Sequence, residues 1–254
     1  MPDSSPADPV HPAAAIGFQR AADAYDRGRP GFPGGAVAFL ARELALGGST
    51  TLLELGAGTG KLTRLLSKAA APRILAVEPV AAMRERLVGI PGVTPLDAVA
   101  EALPLGPRDA EAAVAAQAFH WFDGDRALAE LARVLPSGAP LALVWNVRDE
   151  SVPWVTRFTD VIEPYRGDTP SYRSMRWREA FERTDTFAAP TRTVFPYAAP
   201  TTPDGVVDRA LSISFIAGLP PPERAQVAAR VRDLVPPGHT AFPYRTEVWL
   251  SRRR

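Results

Sequence analysis

The residues best placed to do chemistry are two carboxylates bracketing three glycines at alternate positions: Glu54, Gly56, Gly58, Gly60 and Glu78. Leu52-Leu53-Glu54-Leu55 is an apolar run that ends against Gly56, and Leu62, Leu65, Leu66 and Ala69 beyond Gly60 share one helical face. Strand, glycine turn and helix in that order form the opening unit of a doubly wound sheet. Glycines let the backbone close round a ligand at the strand's carboxyl end, where free amides at the helix start meet its polar atoms. Glu78 falls 22 residues after Gly56, at the end of the next apolar run. An acid there either accepts both hydroxyls of a ribose or sits solvated at a strand end. A P-loop does not fit, because its first glycine would fall on Leu55 and its Ser or Thr on Leu62. A nicotinamide-dinucleotide fingerprint, the mark of an NAD(P)-dependent oxidoreductase, fits poorly, since Lys61 stands where a third Gly or Ala belongs.

His120 is the sharpest candidate for proton transfer, because an imidazole titrates near neutrality. The alternative is that His120 and Trp121 only shape a pocket wall. Tyr172 and Glu163 are weaker candidates. Residues 152–183 also bring Trp154, Phe158, Tyr165, Tyr172, Trp177 and Phe181 together with Arg157, Arg166, Arg173, Arg176 and Arg178. Packed over a site, these groups make an apolar chamber with a positive rim, suited to a small anionic or hydrophobic metabolite. Otherwise the arginines solvate the outer faces of helices.

The elements that must position these groups alternate. Helical spacing marks residues 35–46, 61–69 and 125–135; apolar runs mark strands at 73–78, 93–97, 110–117 and 140–147. Pro79 is expected to open a helix. The alternation predicts an α/β fold, a Rossmann-like doubly wound sheet, mostly parallel with the last strand antiparallel, carrying a helical cap insertion. The expected organisation is a disordered tail at 1–15, a core at 16–150, a helical cap at 151–185, and a completion of sheet and helices at 186–254. In that last part strands are expected at 191–197 and 246–250 and helices at 206–216 and 222–234. Residues 14–29 precede the first strand and end in Arg29-Pro30-Gly31, and are expected to act as a lid ordered by ligand.

Composition excludes several classes. Formal charge is +1, from 29 basic and 28 acidic residues, which argues against a nucleic-acid partner. With no cysteine and only His11, His120 and His239, neither a disulfide nor a metal centre is expected. No apolar stretch approaches the ~18 residues of a membrane span, and the amino terminus lacks the blocks of a signal peptide, so a cytoplasmic protein without a membrane partner is expected. Nothing in the sequence specifies an oligomeric state.

Glu54-Leu55-Gly56-Ala57-Gly58-Thr59-Gly60 resembles the E/D-x-G-x-G-x-G loop of the class I S-adenosyl-L-methionine (SAM) methyltransferases. Phe18 with Tyr25-Asp26 and Arg29-Pro30, Ala100-Glu101-Ala102-Leu103-Pro104, Gln117 to Phe122, Arg133-Val134-Leu135-Pro136 and Trp145-Asn146 are similar to motifs of its small-molecule, type 11 branch, which includes trans-aconitate methyltransferase-like proteins. The resemblance is clear over residues 16–150 and fainter beyond. It implies methyl transfer to a small molecule (O- or C-methylation), with SAM as cofactor and S-adenosyl-L-homocysteine as product. The runner-up is a SAM-binding protein that does not methylate. By this resemblance Gly56, Ala57, Gly58 and Gly60 approach SAM through the backbone, Glu54 receives its ammonium, Tyr25 and Arg29 hold its carboxylate, and Glu78 takes its ribose. Pro79, Met83, Ala100, Glu101, Gln117 and Ala118 complete the cofactor side, Met83 lying against adenine or packing as core. Phe119, Trp121, Trp145, Tyr172, Arg173 and Arg176 are expected on the substrate side.

Overall fold

The computed structural model describes residues 28–238 and 240–254, so the expected tail, most of the expected lid, Phe18, Tyr25 and His239 lie outside the described residues. Seven strands form one sheet in the order β3-β2-β1-β4-β5-β7-β6. They are β1 (Thr51–Leu55), β2 (Arg73–Val77), β3 (Val93–Leu96), β4 (Ala112–Ala116), β5 (Pro140–Arg148), β6 (Thr191–Pro200) and β7 (Ala241–Arg252). The first five are parallel neighbours, and β7 runs antiparallel to both β5 and β6. The helices are α1 (Gly34–Glu43), α2 (Lys61–Ala70), α3 (Ala81–Arg84), α4 (Gly124–Val134), α5 (Pro153–Ile162), α6 (Glu179–Arg183), α7 (Pro203–Leu211), α8 (Ser214–Ala217) and α9 (Pro221–Leu234). Among the described residues no helix is long and apolar enough to cross a membrane.

Successive strand residues face opposite sides, so each parallel strand feeds two cores. Leu53, Leu55, Leu75, Val77 and Leu143 pack on Leu128 and Leu131 of α4 and on Trp177 and Phe181. Leu52, Ile74, Val114 and Val144 pack on Val37 and Leu40 of α1 and on Leu62 and Leu66 of α2. Glu54 shares the parity of Leu52 and therefore points to the α1–α2 side. Strand order reverses between β1 and β4, which opens a crevice at their carboxyl ends, where doubly wound sheets hold ligands.

The carboxyl-terminal part departs most from expectation. β6 and β7 run for 10 and 12 residues, longer than the expected strands, because β6 pairs along its whole length with β7, from Thr191↔Leu250 to Pro200↔Ala241, and β7 pairs further with β5, from Pro140↔Arg252 to Arg148↔Tyr244. Pro196, Pro200 and Pro243 hide this in the sequence. The single helix expected at 206–216 is two, broken where Ile213 turns extended (ψ 129°). α3 begins at Ala81 rather than Pro79, with the Val80 amide donating to the Glu78 carboxylate. Trp154, Phe158 and Ile162 of α5 join Val206, Ala210, Val227 and Val231 of α7 and α9 in a third core.

Candidate active site

The turn after β1 is held open by its glycines. Gly56, Gly58 and Gly60 have φ of 62°, 58° and 84°, the left-handed region in which a side chain is strained. A Cβ on Gly56 would lie 2.6 Å from the Ala118 Cβ, and one on Gly60 2.8 Å from Leu87 Cδ2. A Cβ on Gly58 would meet only open space. The backbone there borders a cleft enclosing about 540 Å³, part of it open to solvent, lined by Arg29, Glu54, Gly56, Ala57, Gly58 and Gln117 among others.

Two buried carboxylates face this turn from different strands. Glu78 accepts hydrogen bonds from the Gly58 amide (2.8 Å) and the Val80 amide (2.9 Å). Burial raises its pKa, and those two bonds and the Arg84 charge oppose the rise. Glu54 has no such anchor. It is 1 % exposed, its Oε2 has no hydrogen-bond partner, and burial lifts its pKa from 4.5 to about 7, the Thr63 hydroxyl opposing weakly. A buried carboxylate oxygen at a cleft wall is complementary to a cationic ligand group.

A second pocket, about 780 Å³ with its open solvent, adjoins the first; Arg29, Gln117 and Arg209 line both. Gln117 sits at this junction with φ 58°, unusual for a residue with a side chain, its amide donating to Val144 O (2.8 Å). Arg148, Arg166 and Arg173 complete the pocket's five arginines. Arg166 is held bidentate by Glu163 (2.6 and 3.0 Å), and Arg173 likewise by Glu150. Arg29 donates to the Ser212 carbonyl (3.2 Å), and Asn146 holds the Gly31 carbonyl (2.8 Å), so the chain entering α1 is tied to the sheet's carboxyl edge.

His120 also lines the second pocket, and its Nδ1 accepts a hydrogen bond from Trp145 Nε1 at 3.1 Å. Burial, then the Arg29 and Arg166 charges, push its pKa from 6.5 down to about 3. A neutral imidazole whose Nδ1 accepts carries its proton on Nε2. Tyr172 donates to Glu247, and burial with that carboxylate's influence raises the phenol's pKa.

Of the expected site residues, Arg29, Glu54, Gly56, Ala57, Gly58 and Gln117 meet in the first cleft, and His120, Trp121, Tyr172 and Arg173 in the second. Glu78, Pro79, Met83, Ala100 and Glu101 do not line the cleft, and of these Glu78 bonds the turn, through the Gly58 amide. Met83 is 2 % exposed, and Glu101 accepts from the Asp123 amide (2.8 Å) at the start of α4. Gly60 and Ala118 support the turn from behind. Phe119 and Trp145 are core, 1 % exposed each, and Arg176 is exposed, away from either pocket. Arg178 lies over Trp249 (5.3 Å). The insertion's aromatics mostly fill cores, and only Tyr172 faces the pocket. Sequence reasoning missed Arg148, Arg209, Ser214 and Phe215. Arg148 lies one residue past the expected end of its strand, and Arg209 sits inside a helix with no local motif.

A family model described as a methyltransferase domain matches residues 53–143. An uncharacterised methyltransferase of Mycobacterium tuberculosis is 34% identical over 222 residues, covering 87% of this chain and 86% of the relative. A methyltransferase-like protein of Schizosaccharomyces pombe is 33% identical over 211 residues, covering 83% and 82%. The chain belongs to the methyltransferase family. The methyltransferase domain takes in the glycine turn, Glu78 and His120, whereas Arg148, Arg166, Arg173 and Arg209 lie beyond the matched residues. A solved structure described as a type II methyltransferase from Anaeromyxobacter dehalogenans is 25% identical with a TM-score of 0.60, covering 89% of this chain and 97% of that one. Geranyl diphosphate C-methyltransferase of Streptomyces coelicolor, solved with S-adenosyl-L-homocysteine, shares the fold at 18% identity and a TM-score of 0.51, covering 87% and 77%.

Proposed function

We propose that the protein is a SAM-dependent methyltransferase acting on a small anionic molecule. The observation that carries the proposal is the junction of the two pockets: a backbone-walled cleft with an unpaired carboxylate opens, past Gln117, Arg29 and Arg209, onto an arginine-lined chamber. SAM, when bound, supplies an electrophilic methyl group on a sulfonium. In the first cleft Glu54 takes the ammonium and Arg29 the carboxylate of its methionine portion. Glu78, whose oxygens keep lone pairs beyond their two amide bonds, takes the ribose hydroxyls. Met83, Ala100 and Glu101 lie toward the adenine.

In the second pocket neither His120 nor Tyr172 is suited to remove a proton. His120 offers an Nε2–H, and Tyr172 is committed to Glu247. His120 is therefore pocket wall and hydrogen-bond donor rather than base. Without a base the acceptor atom must already be nucleophilic, which favours a carboxylate oxygen over a carbon or an alcohol, and the protein's task reduces to alignment and exclusion of water.

Calorimetry with SAM and S-adenosyl-L-homocysteine, followed by mass spectrometry of small acids incubated with protein and SAM, tests the proposal. Binding of both and a gain of one methyl on an acid are expected. Binding of NAD(P) with no response to SAM overturns it. SAM binding with no methylated product from any acceptor leaves a SAM-binding protein instead.

A further inference from the structure

The five pocket arginines are not equivalent. Arg166 and Arg173 each carry a bidentate carboxylate, so most of their charge is already answered. Arg209 is 8 % exposed, its Nε donates only to the neutral Tyr244 hydroxyl (2.9 Å), and its Nη1 is buried with no partner. Arg148, on the last residue of β5, donates through Nε to the Thr159 hydroxyl (3.0 Å) and lies over the Phe158 ring (5.9 Å). Glu150 lies close enough to attract Arg148 but makes no direct hydrogen bond to it, its own oxygens being taken by Arg173 and Thr159. Burial and the Arg209 charge together push the Arg148 pKa from 12.5 down to about 10. Two like charges thus lie close enough to repel, Arg209 buried and Arg148 half-buried, and among the described residues each is hydrogen-bonded only to a hydroxyl. Such an arrangement opposes folding, because the buried Arg209 loses hydration without an ion-pair partner and repels Arg148. It is the arrangement a protein keeps where a ligand brings the missing charge.

We propose that Arg148 and Arg209 form an oxyanion dock in the wall of the second pocket, which holds a two-oxygen anionic group of the acceptor. The group is a carboxylate or a phosphate, both of which match two converging guanidinium forks. The rim arginines, Arg173 and Arg166, steer and enclose instead. This inference rests on the reading of the second pocket as the acceptor site, and it moves the anion contact from the rim to the wall. Arg209 borders both pockets, so the docked group lies next to the junction at Gln117.

The test uses the full chain saturated with S-adenosyl-L-homocysteine and titrated separately with inorganic phosphate and with succinate. Wild-type protein binds at least one probe, and which of the two separates a phosphate from a carboxylate acceptor. Arg148→Met and Arg209→Met are expected to weaken that binding by about tenfold or more, and Arg173→Met by less than about threefold. Arg148→Met keeps its affinity for S-adenosyl-L-homocysteine, and without probe it melts at or above the wild-type temperature because a buried repulsion has been removed. Arg148→Lys recovers part of the binding. Failure of both probes to bind wild type, or equal binding in Arg148→Met, overturns the dock. So does a lower melting temperature for probe-free Arg148→Met, which marks the arginine as structural. Loss of binding in Arg148→Met without methyl transfer to any acid overturns the methyltransferase reading and leaves the dock. Methyl transfer with an unchanged KM in Arg148→Met does the reverse.

Discussion

The two pockets meet at Gln117 but are built on opposite plans. The proposed cofactor cleft takes half its lining from one stretch of chain, residues 54–62, and presents backbone, two left-handed glycines and one carboxylate oxygen without a hydrogen bond among the described residues. The arginine pocket takes residues from six separated segments: the chain before α1, the turn after β4, the end of β5, the loop before α6, α7 and the start of α8. One has half its lining written locally and carries a single buried carboxylate; the other exists only once distant segments are folded together and is lined by five arginines. The contrast teaches where each recognition task can vary. A ligand shared by a family is held by main chain and by strand ends that the sheet itself fixes. On the proposed function, an acceptor particular to one protein would be held mainly by long side chains from segments outside the matched domain.

The comparison is broken most decisively at the glycines. Gly56→Val puts a side chain at φ 62° and against Ala118, costing about 1–2 kcal/mol for the backbone and about 1–3 kcal/mol for the overpacking. SAM binding should vanish from calorimetry with the melting temperature lowered, and a variant that still binds SAM normally removes the backbone account of the first cleft. Next in size is Glu78→Ala, which loses a charge-assisted contact of about 1.5–3 kcal/mol and frees the Gly58 amide, so SAM affinity should fall by tenfold or more. Unchanged affinity in the folded variant sinks the ribose assignment.

The buried ionisable group of each pocket, Glu54 in one and His120 in the other, predicts opposite pH responses. Glu54, raised from 4.5 to about 7, contributes stability that is full below about 4.5 and lost as pH climbs through about 7. SAM's ammonium prefers the ionised form, so its affinity should rise from pH 6 to 8, with proton release on binding, and Glu54→Gln should flatten that rise. His120, lowered from 6.5 to about 3, contributes stability present above about 6.5 and lost as pH falls through about 3. His120→Gln should remove the acid-side loss of melting temperature. It should leave no ionisation near pH 6–7 in kcat, and a bell limb there that disappears with the histidine would restore the base. The smallest effect is expected at Arg176, where exposure predicts that Arg176→Ala changes KM and stability within error, and a clear rise in KM would extend the pocket to that loop.

What the sequence determined by itself is the part governed by short-range rules. Alternating apolar runs and helical faces specify the parallel strands and their helices to within about three residues, because side-chain direction follows periods of 2 and 3.6. The glycines at 56, 58 and 60 need the left-handed conformation that only they adopt cheaply, and Glu54 and Glu78 sit at strand ends set by the same periods. The tertiary structure decided the rest. β6 and β7 lengthen because each supplies the other's hydrogen bonds across prolines that mask their pattern. Trp145 and Phe119 turn into the core, and their neighbours Trp121 and His120 into the pocket, a choice of side that no local spacing encodes. The Trp145 indole then fixes which nitrogen of His120 holds the proton. In a chain so rich in arginine, Arg148 and Arg209 look no different from Arg176. What separates them is which carboxylates reach them after folding, and electrostatics through a buried pocket depends on distances in space rather than along the chain.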